Sequence, residues 1–163
     1  MTATPSLFPA PQPRVRSTKT YGHEVGLSAC FRQHRAHSHC RFLHGYALAV
    51  RFEFEAVGCE LDACGWVVDF GGLKSLKGRL EDTFDHKLLV AEDDPALATL
   101  QQLDKLGLAQ VVIVEATGCE AFARLIYETT EVWLKDAGFA PRVRLVSVEV
   151  REHGANSAIY SEE

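Results

Sequence analysis

The 163-residue chain has no CxxC pair, no HExxH frame, no long apolar run and no surplus of basic residues. Each absence removes a class of protein. Five cysteines, Cys30, Cys40, Cys59, Cys64 and Cys119, at irregular spacing do not read as a disulfide framework or a zinc ribbon. Their odd number, with nothing near the start that resembles an export signal, points to a reduced, cytoplasmic setting. No stretch approaches the roughly 20 apolar residues of a membrane span, so no membrane partner is expected. A net charge of -5 gives no electrostatic case for nucleic acid as a partner. No internal repeat is present either.

What is there reads as one globular domain, with 47% hydrophobic and 24% charged residues. Residues 1–20, "MTATPSLFPAPQPRVRSTKT", carry four prolines and read as a mobile tail. The domain is expected over 21–163. Residues 21–29 alternate roughly as a half-buried strand, and 46–56 more clearly, with Tyr46, Leu48, Val50, Phe52 and Phe54 on one face. Leu73, Leu76, Leu80 and Phe84 fall at helical spacing, a second short helix is expected over 95–106, and "VVIVE" reads as a short strand. Residues 119–135 form the longest amphipathic pattern, closed by "DAGFAP". "VRLVSVEVRE" alternates as a strand, "HGAN" turns, and "SAIY" returns. Strands grouped at both ends of a helical middle predict an α+β fold with an antiparallel sheet.

Between the first two strands lies the chain's most unusual stretch, "HRAHSHCRFLH", with His34, His37, His39, His44 and Cys40 in eleven residues. Four imidazoles so close have the ligand type for a zinc-like cation, and equally the composition of a solvated polar loop. Cys40 has Arg35, His39, Arg41 and His44 as cationic or potentially cationic neighbours, which makes it a credible base or nucleophile. A small buried thiol is the plainer alternative. Asp85 and His86, adjacent in "FDHKLL", can orient and tune one another for proton transfer. Glu152 ends a strand and Glu120 opens a helix; neither stands out by itself.

In their order, "CRFLHG", "GWVVDFGGLK", "FDHKLL", "TGCEAFARLIY", "VSVEVRE" and "AIY" resemble the 6-pyruvoyltetrahydropterin and 6-carboxytetrahydropterin synthase family. The resemblance runs over about residues 21–161. It implies the tunnelling fold, a four-stranded antiparallel sheet of two hairpins with helices between them on one face. It also implies trimers or hexamers with active sites between subunits, and a dihydropterin substrate. By position Cys40, Asp85 and His86 match the family's proton-moving residues. Glu152 matches the glutamate that anchors the pterin ring, and Glu120 a pocket-lining carboxylate whose usual Pro-Thr lead-in is Thr117-Gly118 here. A dihydropterin lyase in queuosine or other pterin biosynthesis follows, the alternative being a non-catalytic binder.

The family's zinc rests on three histidines, and here the match breaks. "LSACF" puts Phe31 at the first ligand position and "HGY" puts Tyr46 at another, so His44 alone stays in register. Three outcomes are open: the metal is lost, it is kept with altered identity, or it is rebuilt from His44 with His39 and His37 or His34. The segment 91–116 is longer than in compact relatives and could reshape the mouth of the site.

Overall fold

The computed structural model describes residues 13–162. Chain order is β1 (Val15–Tyr21), β2 (Leu27–Phe31), β3 (His44–Ala56), α1 (Lys74–Phe84), β4 (Lys87–Ala91), α2 (Leu97–Lys105), β5 (Gln110–Val114), α3 (Cys119–Asp136), β6 (Val143–His153) and β7 (Asn156–Tyr160). Residues 1–12 of the expected tail lie outside the described residues. The rest of that tail does not fit the expectation, because Val15–Tyr21 is a strand paired with β3 from Val15↔Ala56 to Tyr21↔Val50. Its alternation is masked in the sequence by polar residues on both faces. Ser17 and Lys19 sit among the inward side chains, while Arg16 faces out to Glu53 and Glu55.

The strand expected over 21–29 is in fact a break between two. β1 ends at Tyr21, opposite Val50, and β2 starts at Leu27, opposite Leu48, so residues 22–26 loop out against Ala49 alone. Apart from that interruption the expected two hairpins are present: β1 and β2 against β3, and β6 against β7, joined by the β3–β6 ladder. On the inner face β3 places Leu48, Val50, Phe52 and Phe54, and β6 adds Val148 and Val150. α1 and α3 cover them with Leu76, Leu80, Phe84, Phe122, Ile126 and Leu134. Each such side chain taken out of water contributes roughly 1.5–3 kcal/mol. The outer face is polar and cross-linked. Glu55 is buried because Arg16 (2.6 Å) and Arg144 (2.7 Å) reach across from the neighbouring strands. Those two arginines, Arg144 first, hold its carboxyl below the usual range against the opposing cost of burial.

Two expectations about the helical middle are corrected. The sheet is not wholly antiparallel: β4 pairs in parallel with β2 (Ala29↔Lys87, Cys30↔Leu88) and with β5 along its length. β4, α2 and β5 are a strand–helix–strand unit, and "KLLVA" carries no strand signal of its own because it is five residues long and starts almost at the end of α1. Nor do all helices share one face. Along β4 the side chains alternate, so Leu89 enters the main core while Leu88 and Val90 point the other way, onto Leu100 of α2. α2 therefore packs on the face opposite α1 and α3.

Candidate active site

The "LHG" motif has a steric reason. Gly45 lies opposite Cys30 in the β2–β3 ladder, and a Cβ there would come within 2.8 Å of the Ala29 carbonyl oxygen. Only glycine lets the strands close. Closure sets Phe31 opposite His44 and Ala29 opposite Tyr46, with Phe31, His44 and Tyr46 all on the inner face. Before β3, residues 39–41 form a 3-10 turn begun by Ser38, whose hydroxyl accepts from the Cys40 amide. The Gln33 amide donates to the Cys40 carbonyl at 2.9 Å, closing the loop. An ion-paired clasp supports its base: Arg32 grips Asp94 through two hydrogen bonds (2.7 and 2.5 Å), and Arg35 pairs with Asp93. The Asp94 side chain is 1% exposed, and Arg32 holds its carboxyl below the usual carboxylate range.

Glu152 reaches the same region through an irregularity. The β6–β7 register shifts between Arg151, opposite Ser157, and His153, opposite Asn156, leaving Glu152 without a ladder partner. Bulges of this kind re-aim side chains beside binding sites. Glu120 stands in the first turn of α3, which Gly118 begins at φ 110° without a side-chain cap. The Thr117 hydroxyl instead donates to the Arg32 carbonyl at 2.7 Å, tying the helix start to the cysteine loop.

Together these pieces line a cavity of about 580 Å³ whose walls include Cys40, His44, Tyr46, Cys119, Glu120 and Glu152. Four of the residues singled out in the sequence thus meet: Cys40, His44, Glu120 and Glu152. Cys119 and Tyr46 join them. Cys119 sits beside Glu120 in "TGCE", the one local signal that could have marked it. Burial, then the Glu152 and Glu120 carboxylates, pushes its thiol up to about 12, so it keeps its proton at neutral pH. Burial and Glu152 likewise raise the Tyr46 phenol, with smaller contributions from Cys40 and Cys119.

Asp85 and His86 are elsewhere. The imidazole Nδ1 donates to Asp85 at 2.8 Å, a bond that leaves Nε2 free on a side chain 82% exposed. Both residues are pinned to β2, the His86 amide donating to the Ser28 carbonyl at 2.7 Å and the Ser28 amide to Asp85 at 3.2 Å. His86 holds φ 56°, a conformation uncommon outside glycine that fixes the pair at this corner. It borders a second hollow of about 380 Å³ with Ser28, Cys30 and Gly45, outer-face residues. Within one chain His86 and Cys40 line different cavities.

The metal set expected from His44, His39 and His37 is not assembled. His37 and His39 are exposed and line no wall of the cavity, and His34 packs near Asp93 (3.7 Å) and Asp94 (4.0 Å) in the clasp. No group of three His, Cys, Asp or Glu side chains among the described residues is placed to share a cation. At the family's ligand positions the Phe31 ring is 2% exposed and edge-on to Phe122 at 5.0 Å. The residues present do not fit a three-histidine zinc site.

The sheet of two antiparallel hairpins with α1 and α3 on one face defines an α+β protein of the tunnelling-fold class. A crystal structure of an uncharacterised protein from Wolinella succinogenes superposes with a TM-score of 0.74 at 22% identity, covering 93% of this chain and 99% of that one. The Caenorhabditis elegans 6-pyruvoyl tetrahydropterin synthase superposes at 0.58 with 16% identity, over 96% and 100% of the two chains. A 6-carboxy-5,6,7,8-tetrahydropterin synthase of Aquifex aeolicus is 30% identical over 142 residues, 85% of either chain. The family model for 6-pyruvoyl tetrahydropterin synthase matches residues 22–163. The chain belongs to the 6-pyruvoyl tetrahydropterin synthase family. No helix among the described residues is long and apolar enough to cross a membrane.

Proposed function

We propose that the protein is a lyase acting on a dihydropterin, converting 7,8-dihydroneopterin triphosphate to 6-carboxytetrahydropterin on a route to 7-deazaguanines such as queuosine. The observation that carries this reading is the convergence of Cys40, Glu120 and Glu152 on one cavity from three distant parts of the chain. Glu152 offers two carboxylate oxygens to the 2-amino group and the adjacent ring N–H of the pterin, a charge-assisted bidentate grip that fixes the ring plane. Glu120 lines the pocket beside it. Cys40, on the facing turn, moves a proton at the substrate's side chain. The 30% identical relative bears the carboxy name, which favours that product over the pyruvoyl one.

Asp85 and His86 enter this scheme from a second copy of the chain. The pair is prearranged, with Nε2 exposed, and His86 borders a different cavity from its own Cys40. In a trimer or hexamer the exposed imidazole of one subunit completes the proton relay of the next.

The test is turnover of 7,8-dihydroneopterin triphosphate by the purified protein, with product identified by mass spectrometry. Cys40→Ala is expected to lower kcat by about 100-fold or more while leaving pterin binding intact. Full activity in that variant would sink the assigned mechanism. Calorimetric binding without any product would instead establish the non-catalytic alternative.

A further inference from the structure

Where the family places a metal, this chain packs an aromatic cluster, and the cluster leaves two polar atoms free. Phe31 and His44 lie 5.0 Å apart between ring centroids, Phe31 and Tyr46 6.2 Å, and His44 and Tyr46 5.6 Å in an edge-to-face contact. His153 closes on the other side of Tyr46 at 6.0 Å. Phe31 is one of the largest fully buried side chains and belongs to the core through Phe122. It occupies the first ligand position with carbon alone. His44 Nδ1 donates to the Phe42 carbonyl at 2.8 Å; a carbonyl can only accept, so Nδ1 carries the proton and Nε2 is left as an acceptor. Tyr46 lines the cavity, and its hydroxyl makes no hydrogen bond to protein among the described residues. Four aromatic contacts and one hydrogen bond to the chain thus hold these two rings still. Their unused atoms share the cavity with Cys40 and Glu152.

We propose that the site works without a resident metal, and that the Tyr46 hydroxyl and His44 Nε2 take over direct contact with the oxygens of the substrate's side chain. This rests on the dihydropterin reading above. The side chain of such a substrate carries neighbouring hydroxyl groups. One oxygen accepts from Tyr46, and the adjacent hydroxyl donates to His44. Both contacts are neutral, need no counter-charge, and suit a pocket whose anionic groups, Glu120 and Glu152, are committed to the ring. Tyr46 is then a substrate-contacting residue with no equivalent in a three-histidine site.

Elemental analysis of protein purified without added metal, and again after dialysis against zinc, is expected to find well under about 0.2 zinc per chain. Phe31→His combined with Tyr46→His, which restores the three-histidine set beside an already oriented His44, is expected to take up about one. Turnover by the unaltered protein is expected to survive chelator. Tyr46→Phe is expected to lower kcat by about 100-fold with KM moved less than about threefold and the melting temperature unchanged. Stoichiometric zinc in the unaltered protein with chelator-sensitive turnover overturns the proposal, as does full kcat in Tyr46→Phe. Should the double variant not fold, the zinc count and the Tyr46→Phe kinetics decide by themselves. If the protein binds a dihydropterin without turning it over, a tenfold loss of affinity in Tyr46→Phe supports the contact and an unchanged affinity overturns it. Absence of both binding and turnover overturns the proposed function and the role of Tyr46 together, while the zinc count still decides the metal.

Discussion

At the scale of single residues, two positions separate ligand binding from folding. Glu152→Gln keeps shape and burial but exchanges a charged double acceptor for one acceptor and a donor. It is expected to weaken dihydropterin binding by about 10- to 100-fold in a calorimeter, with little change in melting temperature. The opposite signature belongs to Gly45→Ala. The added Cβ meets backbone at 2.8 Å, and backbone cannot swing aside as a flexible side chain can. A loss of about 1–3 kcal/mol in denaturant unfolding is expected, along with reduced activity because β2 and β3 carry the cavity wall. The glycine of "LHG" is therefore a packing residue inside a functional motif.

Among the elements, the β4–α2–β5 unit and the cysteine loop are fastened to each other by Arg32, Asp94, Arg35 and Asp93. Asp94→Ala leaves Arg32 without its buried partner and is expected to cost about 3 kcal/mol by denaturant titration. Its pH dependence has a definite sign. The folded Asp94 carboxyl lies below its unfolded value, so its contribution is fully present above about pH 4 and is lost as pH falls through the lowered folded value. The Asp94→Ala variant should therefore lack that part of the acid-unfolding slope. None of this was legible in the sequence, where Asp93 and Asp94 merely precede the helix expected over 95–106. Ion pairing over 62 positions leaves no local pattern. The amphipathic strands β3 and β6 and helix α3 were legible because one face of each is buried and periodicity records it. β4 was not, because its two faces are both covered, by the main core and by α2, and its five residues read as a plain apolar run. Cys40, Glu120 and Glu152 could be picked out by motif order, whereas His37 and His39 were credited as ligands on composition alone.

For the molecule as a whole, β1, β5 and β7 are the sheet edges among the described residues, with backbone groups that pairing between copies would cover. If Asp85 and His86 serve a neighbour's cavity, two inactive variants should repair each other. Cys40→Ala and His86→Ala, each silent when pure, are expected on mixing and reassembly to regain about a quarter of the native activity, the share of interfaces that draw both intact residues. No recovery, or a monomer in light scattering, would count against shared sites. The interrupted line of β1 and β2 bears on the same assembly in another way. Each strand is registered independently against β3, and residues 22–26 bulge out between them with open space around Gly26. A change in length there is absorbed by the bulge instead of inverting Arg16 and Tyr21 through the sheet. That makes 22–26 a splice point, where a reporter or affinity tag can be set into the chain with the ladder intact on either side.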